Sequence, residues 1–317
     1  MYYIGVDLGG TNIAAGIVNE EGLIIRKKSI PTGRTRNAEE IVSDICRVIL
    51  GLMEEECLTT ENVHSIGIGS PGIHDRENGV IIYNNNLNFR NVNVRELIRK
   101  SIPLPVYLEN DANCAAIAES VAGAAKGEDH AVIITIGTGI GGGIIIDKKL
   151  YTGFNGGGGE LGHIVIQLNG EPCTCGRKGC WEAYASATAL IRQTKDAALK
   201  NPNSKINEIV GGDLSRIDAK TAFDAAKMGD CTGLEVVNNY IVYLAEGLAN
   251  IVNIFQPGVI AIGGGVSKEG EYLLRPLREK VRELTYSGYG LEEGKIVAAQ
   301  MGNDAGIVGA AFITKVW

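Results

Sequence analysis

The chain is predicted to be an α/β protein, on three observations. Short runs rich in Val and Ile alternate with longer stretches whose apolar residues recur at helical spacing. A strand, a glycine-threonine turn and a second strand occur at residues 4–18 and again at 132–146, about half a chain apart, as a duplicated domain would produce. The length, 317 residues, suits one large domain or two of ordinary size.

The elements follow in order. Residues 2–8 form a strand, Gly9-Gly10-Thr11-Asn12 a turn, 13–18 a second strand and 23–29 a third. Asn37 with Glu40 reads as a capping box, and Ile41, Ile45, Val48, Ile49 and Leu52 carry that helix to about Cys57. Strands are expected at 63–69 and 80–83, the first ending at Ser70-Pro71-Gly72 and the second at the asparagine-rich run 84–88. That run is either a surface turn or a set of amides for hydroxyl groups. Asn93 caps a helix over 94–101. A strand over 106–109 ends at Asn110-Asp111, which open an alanine-rich helix over 112–125. An N-cap is the plain reading of Asn-Asp, but the carboxyl end of a strand is also where α/β sites form.

Strand 131–136, a turn over 137–142 and strand 143–146 come next. The turn matches G-x-G-x-x-G, yet Ile144 to Asp147 continue as strand, which argues against a dinucleotide fingerprint. Helices are expected at 183–199, 219–228 and 232–255, with 200–217 irregular and Pro257 ending the long helix. Strand 259–262, Gly263-Gly264-Gly265, a helix over about 270–285, strand 295–300 and a last helix capped by Asn303-Asp304 and reaching about Lys315 complete the chain.

Hydrophobic residues make up 45% and charged residues 21%, a soluble globular composition. The net charge of −7 argues against a nucleic-acid partner. No apolar run approaches the ~20 residues that span a bilayer, so no membrane partner is expected. With a strand read from residue 2, no leader is expected. Of seven cysteines, Cys46, Cys57, Cys114 and Cys231 stand singly, as reduced thiols of a cytoplasmic protein do.

The other three cysteines are clustered. Glu160-Leu161-Gly162-His163 precedes Cys173-Thr174-Cys175-Gly176-Arg177-Lys178-Gly179-Cys180-Trp181-Glu182. Three sulfurs and one imidazole suit a tetrahedral zinc site of His163, Cys173, Cys175 and Cys180. Plain reduced thiols in a glycine-rich loop are the alternative. Glu160 and Glu182 bracket the loop, so a metal that folds it would fix two acceptors for a polyhydroxylated ligand. Asp7 and Thr11 flank the first glycine turn. Turn chemistry is one account; a magnesium held by Asp7 and phosphoryl oxygens facing the amides of Gly9, Gly10, Thr11 and Asn12 is the other.

The Glu-x-Gly-His and Cys-x-Cys-Gly-x2-Gly-Cys-x-Glu patterns resemble the signature of the ROK family of repressors, open reading frames and sugar kinases, and match it at every defined position. The run Cys173 to Thr188 is similar to the glucokinase branch, although Phe89 stands where many members carry Trp. The glycine turns 9–12, 137–142 and 263–265 resemble the phosphate and adenosine loops of the actin, hexokinase and heat-shock-protein superfamily. That resemblance implies two actin-like ATPase domains of mixed sheets with a cleft between them. The expected domains are 1–112, with 304–317 packing back on it, and 113–303.

The resemblance further implies an ATP-dependent, magnesium-requiring kinase that phosphorylates the 6-hydroxyl of glucose, with Asp111 as base. Gly72, Asn86, Asn110, Asp111, Glu160, His163 and Glu182 would bind the sugar. Gly137, Thr138, Gly139, Gly141, Gly263, Gly264 and Gly265 would join residues 7 and 9–12 at the nucleotide. A homodimer or homotetramer is expected by the same resemblance. The rivals are a kinase for fructose, mannose, allose or N-acetylmannosamine, and a sugar-responsive repressor, disfavoured because residue 2 already begins a strand.

Overall fold

The computed structural model describes residues 1–84, 86–286 and 294–316. Asn85 of the asparagine run lies outside the described residues. The chain resolves into two units: Met1–Ile133 with Gly143–Gly159 and Ala299–Trp317, and Ile134–Gly142 with Glu160–Ala298.

In the first unit, β1 (Tyr2–Leu8) pairs antiparallel with β2 (Asn12–Val18), and β2 antiparallel with β3 (Ile24–Pro31). On its other side β1 pairs parallel with β4 (Val63–Ser70), which pairs parallel with β8 (Val106–Asn110). Alternation along β1 sends Ile4, Val6 and Leu8 to one face. There they pack in a cluster that includes Ile41, Ile45 and Ile49 of α1 (Ala38–Glu55). The expected capping box is present: Glu40 N donates to Asn37 Oδ1 (2.8 Å) and Asn37 N to Glu40 Oε2 (3.2 Å).

The opposite face is covered by α3 (Asp111–Ala122) and α10 (Ala305–Ala311), through Ile117, Ile307, Val308 and Phe312. A Cβ at Gly5 would stand 1.8 Å from the Ile307 carbonyl oxygen, and one at Gly67 1.7 Å from that of Ala310. Glycine at both positions lets the helix backbone lie directly on the sheet. The fully buried Glu119 ties α3 to the chain entering α10. Its carboxylate accepts from Ala124 N (2.7 Å), Gln300 N (2.8 Å) and Met301 N (2.7 Å).

The second five-stranded sheet comprises β9 (Ala131–Ile136), β10 (Ile140–Ile146), β11 (Lys149–Tyr151), β12 (Val259–Gly264) and β13 (Lys295–Ala298). Its order, β11-β10-β9-β12-β13, matches β3-β2-β1-β4-β8 strand for strand, the arrangement a duplicated domain gives. The second unit's helices are α4 (Glu182–Ala185), α5 (Ala187–Lys200), α6 (Lys205–Ile209), α7 (Thr221–Lys227), α8 (Cys231–Phe255) and α9 (Glu271–Leu284). Of the residues that recur at helical spacing along α8, Val237, Ile241, Leu244, Leu248 and Ile251 are buried and Phe255 is only partly so, and Gln256, at φ +43°, ends the helix before Pro257. Among the described residues no helix is long and apolar enough to cross a membrane.

Several expectations need correction. The single helix over 183–199 is two, α4 and α5, because Ser186 adopts an extended backbone and accepts from Ala189 N (3.1 Å), a cap competing with helix continuation. Residues 200–217 are not irregular: α6 buries Ile206 in a cluster with Ala198, Val210, Ile217 and Ala225. The final helix stops at Ala311 and tightens into a 3-10 turn over Ile313–Lys315. Asp304 makes no cap bond there, its carboxylate meeting Lys27 Nζ at 2.6 Å instead. A small antiparallel sheet, β5 (Ile73–Asp75), β6 (Val80–Asn84) and β7 (Phe89–Asn93), precedes α2 (Val94–Arg99); β5, β7 and β11 were too short to show a period.

Replacing Glu119 with Ala leaves three backbone donors without their acceptor. Urea unfolding of Glu119→Ala should show a loss of about 3 kcal/mol or more. A loss under about 0.5 kcal/mol would contradict the role of this carboxylate as a tie.

Candidate functional site

Parallel pairing sets the geometry of the first unit. Asp7 is level with Gly69 on β4, and Gly69 with Glu109 on β8, so the three form one row across the carboxyl ends of parallel strands. Asp111 follows two residues later as the first residue of α3. Asn110 caps that helix, its Oδ1 accepting from Ala112 N (2.9 Å) and Asn113 N (3.3 Å), so its amide NH2 stays free of the cap. Asp111 Oδ1 accepts from Ala112 N (3.0 Å). Both carboxyls are pushed up from their ordinary range. Burial raises Asp7 to about 6, with repulsion from Asp111 adding to it. Burial raises Asp111, partly opposed by its backbone hydrogen bonds.

The first glycine turn is closed by Gly9 N donating to Asn12 O (3.0 Å). It is held by Thr32, a buried residue not picked out from the sequence, whose Oγ1 donates to Gly9 O (2.7 Å) and whose N donates to Thr11 O (2.8 Å). Thr11 is exposed on the turn, whereas Asn12 already belongs to β2. Asn86 lies against this turn, since a Cβ at Gly10 would be 3.0 Å from that of Asn86. The sequence reading also missed Asn84. Fully buried, it donates from Nδ2 to Pro71 O (2.8 Å), beside Gly72, and accepts at Oδ1 from Asn86 N (2.9 Å) and Leu87 N (3.1 Å). The structure thus brings Gly10, Gly72 and Asn86 together through a residue whose only local signal was its place at a strand end.

In the second unit the loop 160–182 brings the four proposed ligands together. The ligating atoms of His163, Cys173, Cys175 and Cys180 all lie within 4.8 Å of one another. Cys173 Sγ is 3.6 Å from His163 Nδ1, and Cys175 Sγ 3.7 Å from Cys180 Sγ. A tetrahedral zinc with bonds of about 2.3 Å to sulfur and about 2.05 Å to nitrogen requires S···N edges of about 3.6 Å and S···S edges of about 3.8 Å. The donor set therefore fits this ion. Without a cation, burial pushes the Cys173 thiol up to about 12.

Several contacts of the protein itself help to shape the loop. Gly179 adopts φ +82°, and a Cβ there would meet Gln167 O at 1.8 Å. Trp181 is fully buried and donates from Nε1 to Tyr243 O (2.9 Å) on α8, and Cys180 is fully buried beside it. Glu182 Oε2 accepts from Ile140 N (3.3 Å), while its Oε1 faces Cys173 Sγ (3.1 Å), Thr174 Oγ1 (3.2 Å) and His163 Nδ1 (3.7 Å). Glu160 is exposed, and its carbonyl accepts from His163 N (3.1 Å).

The later glycine turns are shorter than expected. Gly137 N donates to Gly139 O (3.0 Å), with Thr138 exposed between them, so the turn is 137–139. Gly141, expected in the turn, lies within β10, because pairing begins at Ile140. Gly263 and Gly264 belong to β12, and Gly265 opens a 3-10 turn whose Ser267 Oγ donates to Gly264 O (2.8 Å).

Comparison with known proteins gives the family. The sequence pattern of the ROK family matches residues 3–316. The chain is 41% identical over 313 residues to the glucokinase of Thermotoga maritima, spanning 98% of this chain and 96% of that one. The crystal structure of a ROK family glucokinase from Streptomyces griseus, in complex with glucose and AMPPNP, superposes with a TM-score of 0.81 at 38% identity, covering 98% of each chain. A xylose repressor of Bacillus spizizenii is 30% identical over 98% of this chain, which spans 76% of the repressor's length. With the whole strand order, the four-ligand loop and the family pattern in agreement, the chain belongs to the ROK family.

Proposed function

We propose that this protein is an ATP-dependent hexose kinase, a glucokinase that makes glucose 6-phosphate. The observation that carries this reading is the similarity to a glucokinase along nearly the whole of both chains. The xylose repressor is matched at lower identity and over less of its length.

Asp111 is the base. A primary alcohol is a weak nucleophile, so its proton must pass to a carboxylate as the oxygen attacks. The sugar O6–Pγ bond forms, the bond from Pγ to the bridging oxygen breaks, and ADP leaves with that electron pair. A raised carboxyl is the better proton acceptor of the two available kinds. Asn110, its Oδ1 committed to the cap, offers its NH2 to a neighbouring hydroxyl. Glu160, Glu182 and His163 would read sugar hydroxyls, and Gly72 and Asn86 would contact the sugar as well. His163 turns Nδ1 toward the thiols, which leaves Nε2 for the sugar. His163, Cys173, Cys175 and Cys180 would hold a structural zinc. Asp7 would hold magnesium, which when bound supplies positive charge to the phosphoryl oxygens. The turn of Gly9, Gly10, Thr11 and Asn12 and the turn of Gly137, Thr138 and Gly139, closed by the amides of Gly9 and Gly137, would face the nucleotide, with Gly141 of β10 and Gly263, Gly264 and Gly265 at the end of β12 as further contacts. None of the seven cysteines is in a disulfide, in keeping with a cytoplasmic enzyme, and the assembly proposed is a homodimer or homotetramer.

The test is coupled ADP detection over glucose, fructose, mannose, allose and N-acetylmannosamine, with glucose expected to turn over best. Sugar binding with no ADP release would point to a regulator instead. Asp111→Asn should lower kcat by about 10²–10⁴ while glucose binding remains measurable by calorimetry. Because the base acts ionised and its pKa is raised, kcat/KM should fall on the acid side with a midpoint above the ordinary carboxylate value of about 4.

Metal analysis of the protein as isolated should give one zinc per chain. In Cys175→Ser both the zinc and the glucose affinity should drop, and active protein without zinc would refute the clamp.

Asp7 has a stability counterpart. Its folded pKa, about 6, lies above the unfolded value of 3.8, so stability is fully present below about pH 4 and lost as pH rises through about 6. In magnesium-free buffer Asp7→Asn should gain on the order of 2 kcal/mol at pH 7, allowing for screening, and nothing near pH 3.5. Equal gains at both pH values would mean that the cost is not the charge.

A further inference from the structure

Arg76, in the turn just after β5, and Glu109 on β8 form an ion pair 33 residues apart in sequence. Arg76 NH2 donates to Glu109 Oε1 at 2.6 Å, with side-chain exposures of 14% and 0%. The same Oε1 accepts from the backbone N of Asn110 (2.7 Å) and from Asn113 Nδ2 (2.9 Å). Arg76 NH2 also donates to Gly156 O (3.3 Å). One carboxylate oxygen thus holds the strand-to-helix junction on both sides of Asp111. Through Arg76 it also reaches the glycine-rich segment before residue 160.

A buried ion pair is a poor source of stability, since desolvation offsets most of the attraction. This one is also incompletely satisfied. Arg76 Nε, Glu109 Oε2 and Asn113 Oδ1 are buried without a partner in the protein. One donor and two acceptors is the set a single water can meet, and retaining such a network costs more than an apolar filling would. What the network does provide is direction. Glu109 clamps the amide of the residue just before the base, and Asn113 lies one helical turn inside the same cap.

We propose that Arg76 and Glu109 are a positioning pair that sets the orientation of the Asn110–Asp111 junction for proton transfer; the proposal rests on the reading of Asp111 as the base. Neither residue touches the reacting atoms. The other titratable groups around the junction are Asp7 on β1, His74 on β5 and Cys114 on α3. His74, buried with its Nε2 2.9 Å from Ser70 Oγ, is held neutral by burial down to about 4, with Arg76 adding to the shift. Cys114 is pushed well up by burial, so neither changes charge between pH 5 and 8.

The test compares Glu109→Gln, Arg76→Met and the double variant in the full chain, with circular dichroism as the check on folding. Each single variant should lose at least about 10-fold in kcat with glucose KM within about threefold, the split expected when the base is misaligned and the sugar site is intact. Glu109→Gln leaves the guanidinium unpaired beside the junction, which favours the ionised base. Its acid-side midpoint in kcat/KM should therefore move to lower pH. The double variant carries neither charge; its midpoint should return to the parent value while kcat stays low. Folded single variants with parental kcat and midpoint overturn the proposal. If the singles do not fold, the double variant decides, and parental kcat there overturns it equally. Asp111→Asn run in parallel separates the two readings. Retained turnover would remove the base itself, whereas an inactive Asp111→Asn beside parental pair variants removes only the positioning role.

Discussion

The register of three parallel strands governs this molecule. β1, β4 and β8 run the same way, and their pairing aligns Asp7, Gly69 and Glu109 in one row at the carboxyl ends. Strand ends of like direction expose unpaired backbone and the N-termini of following helices at one edge, so charged groups can collect there and still be solvated or capped. The consequence is crowding of like charge. Asp7 is raised to about 6 by burial and by Asp111, and Asp111 itself is raised. A carboxylate held at a disadvantage in the folded protein is a useful acceptor for a proton or a ligand for a cation. The fold accepts that disadvantage because α10, seated on Gly5 and Gly67, and Glu119, gripping the chain that leads into α10, stabilise the same sheet from behind.

The second unit answers a different problem. Between Glu160 and Trp181 the only regular pieces are a 3-10 turn and two isolated bridges, Val165 to Cys180 and Pro172 to Lys178. A segment so poor in backbone pairing needs another restraint. Burial of Trp181 and Cys180, with Trp181 hydrogen-bonded to α8, fixes one end, and His163, Cys173, Cys175 and Cys180 gather within 4.8 Å of one another along the rest. Cys175 is the exposed member of that cluster, and Glu182 Oε1 lies 3.1 Å from Cys173 Sγ beside it.

The two sheets share one strand order yet have diverged in chemistry. Two residues before the first glycine turn stands Asp7; two residues before the second stands Thr135. Only one copy keeps a carboxylate at that place. The turns are also secured differently, the first by the hydroxyl of Thr32, the second by Ala187 N donating to Gly137 O (3.0 Å). Two scaffolds of one strand order thus carry a charged turn and a neutral one.

Features made by near neighbours could be read directly from the residues. The Asn37–Glu40 box, the buried stripe of α8, the Asn110 cap with Asp111 behind it and the Cys-x-Cys-x4-Cys spacing all stand in the structure where spacing placed them. Each depends on contacts only a few residues apart or on one period, and those are properties of a short window. The limits appeared where a local signal was ambiguous, as at Ser186, which can continue a helix or cap the next one, and in the asparagine run, where buried Asn84 rather than exposed Asn86 does the holding. Other features belong to no window. Arg76 meets Glu109, Thr32 secures Gly9, and Glu119 receives the amides of residues 300 and 301 because sheet register and helix packing bring remote segments within hydrogen-bonding distance. Residue type and spacing settled which chemistry this chain carries. The partners that hold that chemistry in place were chosen by long-range packing, whose energy is shared among surfaces that are neighbours only after the chain has folded.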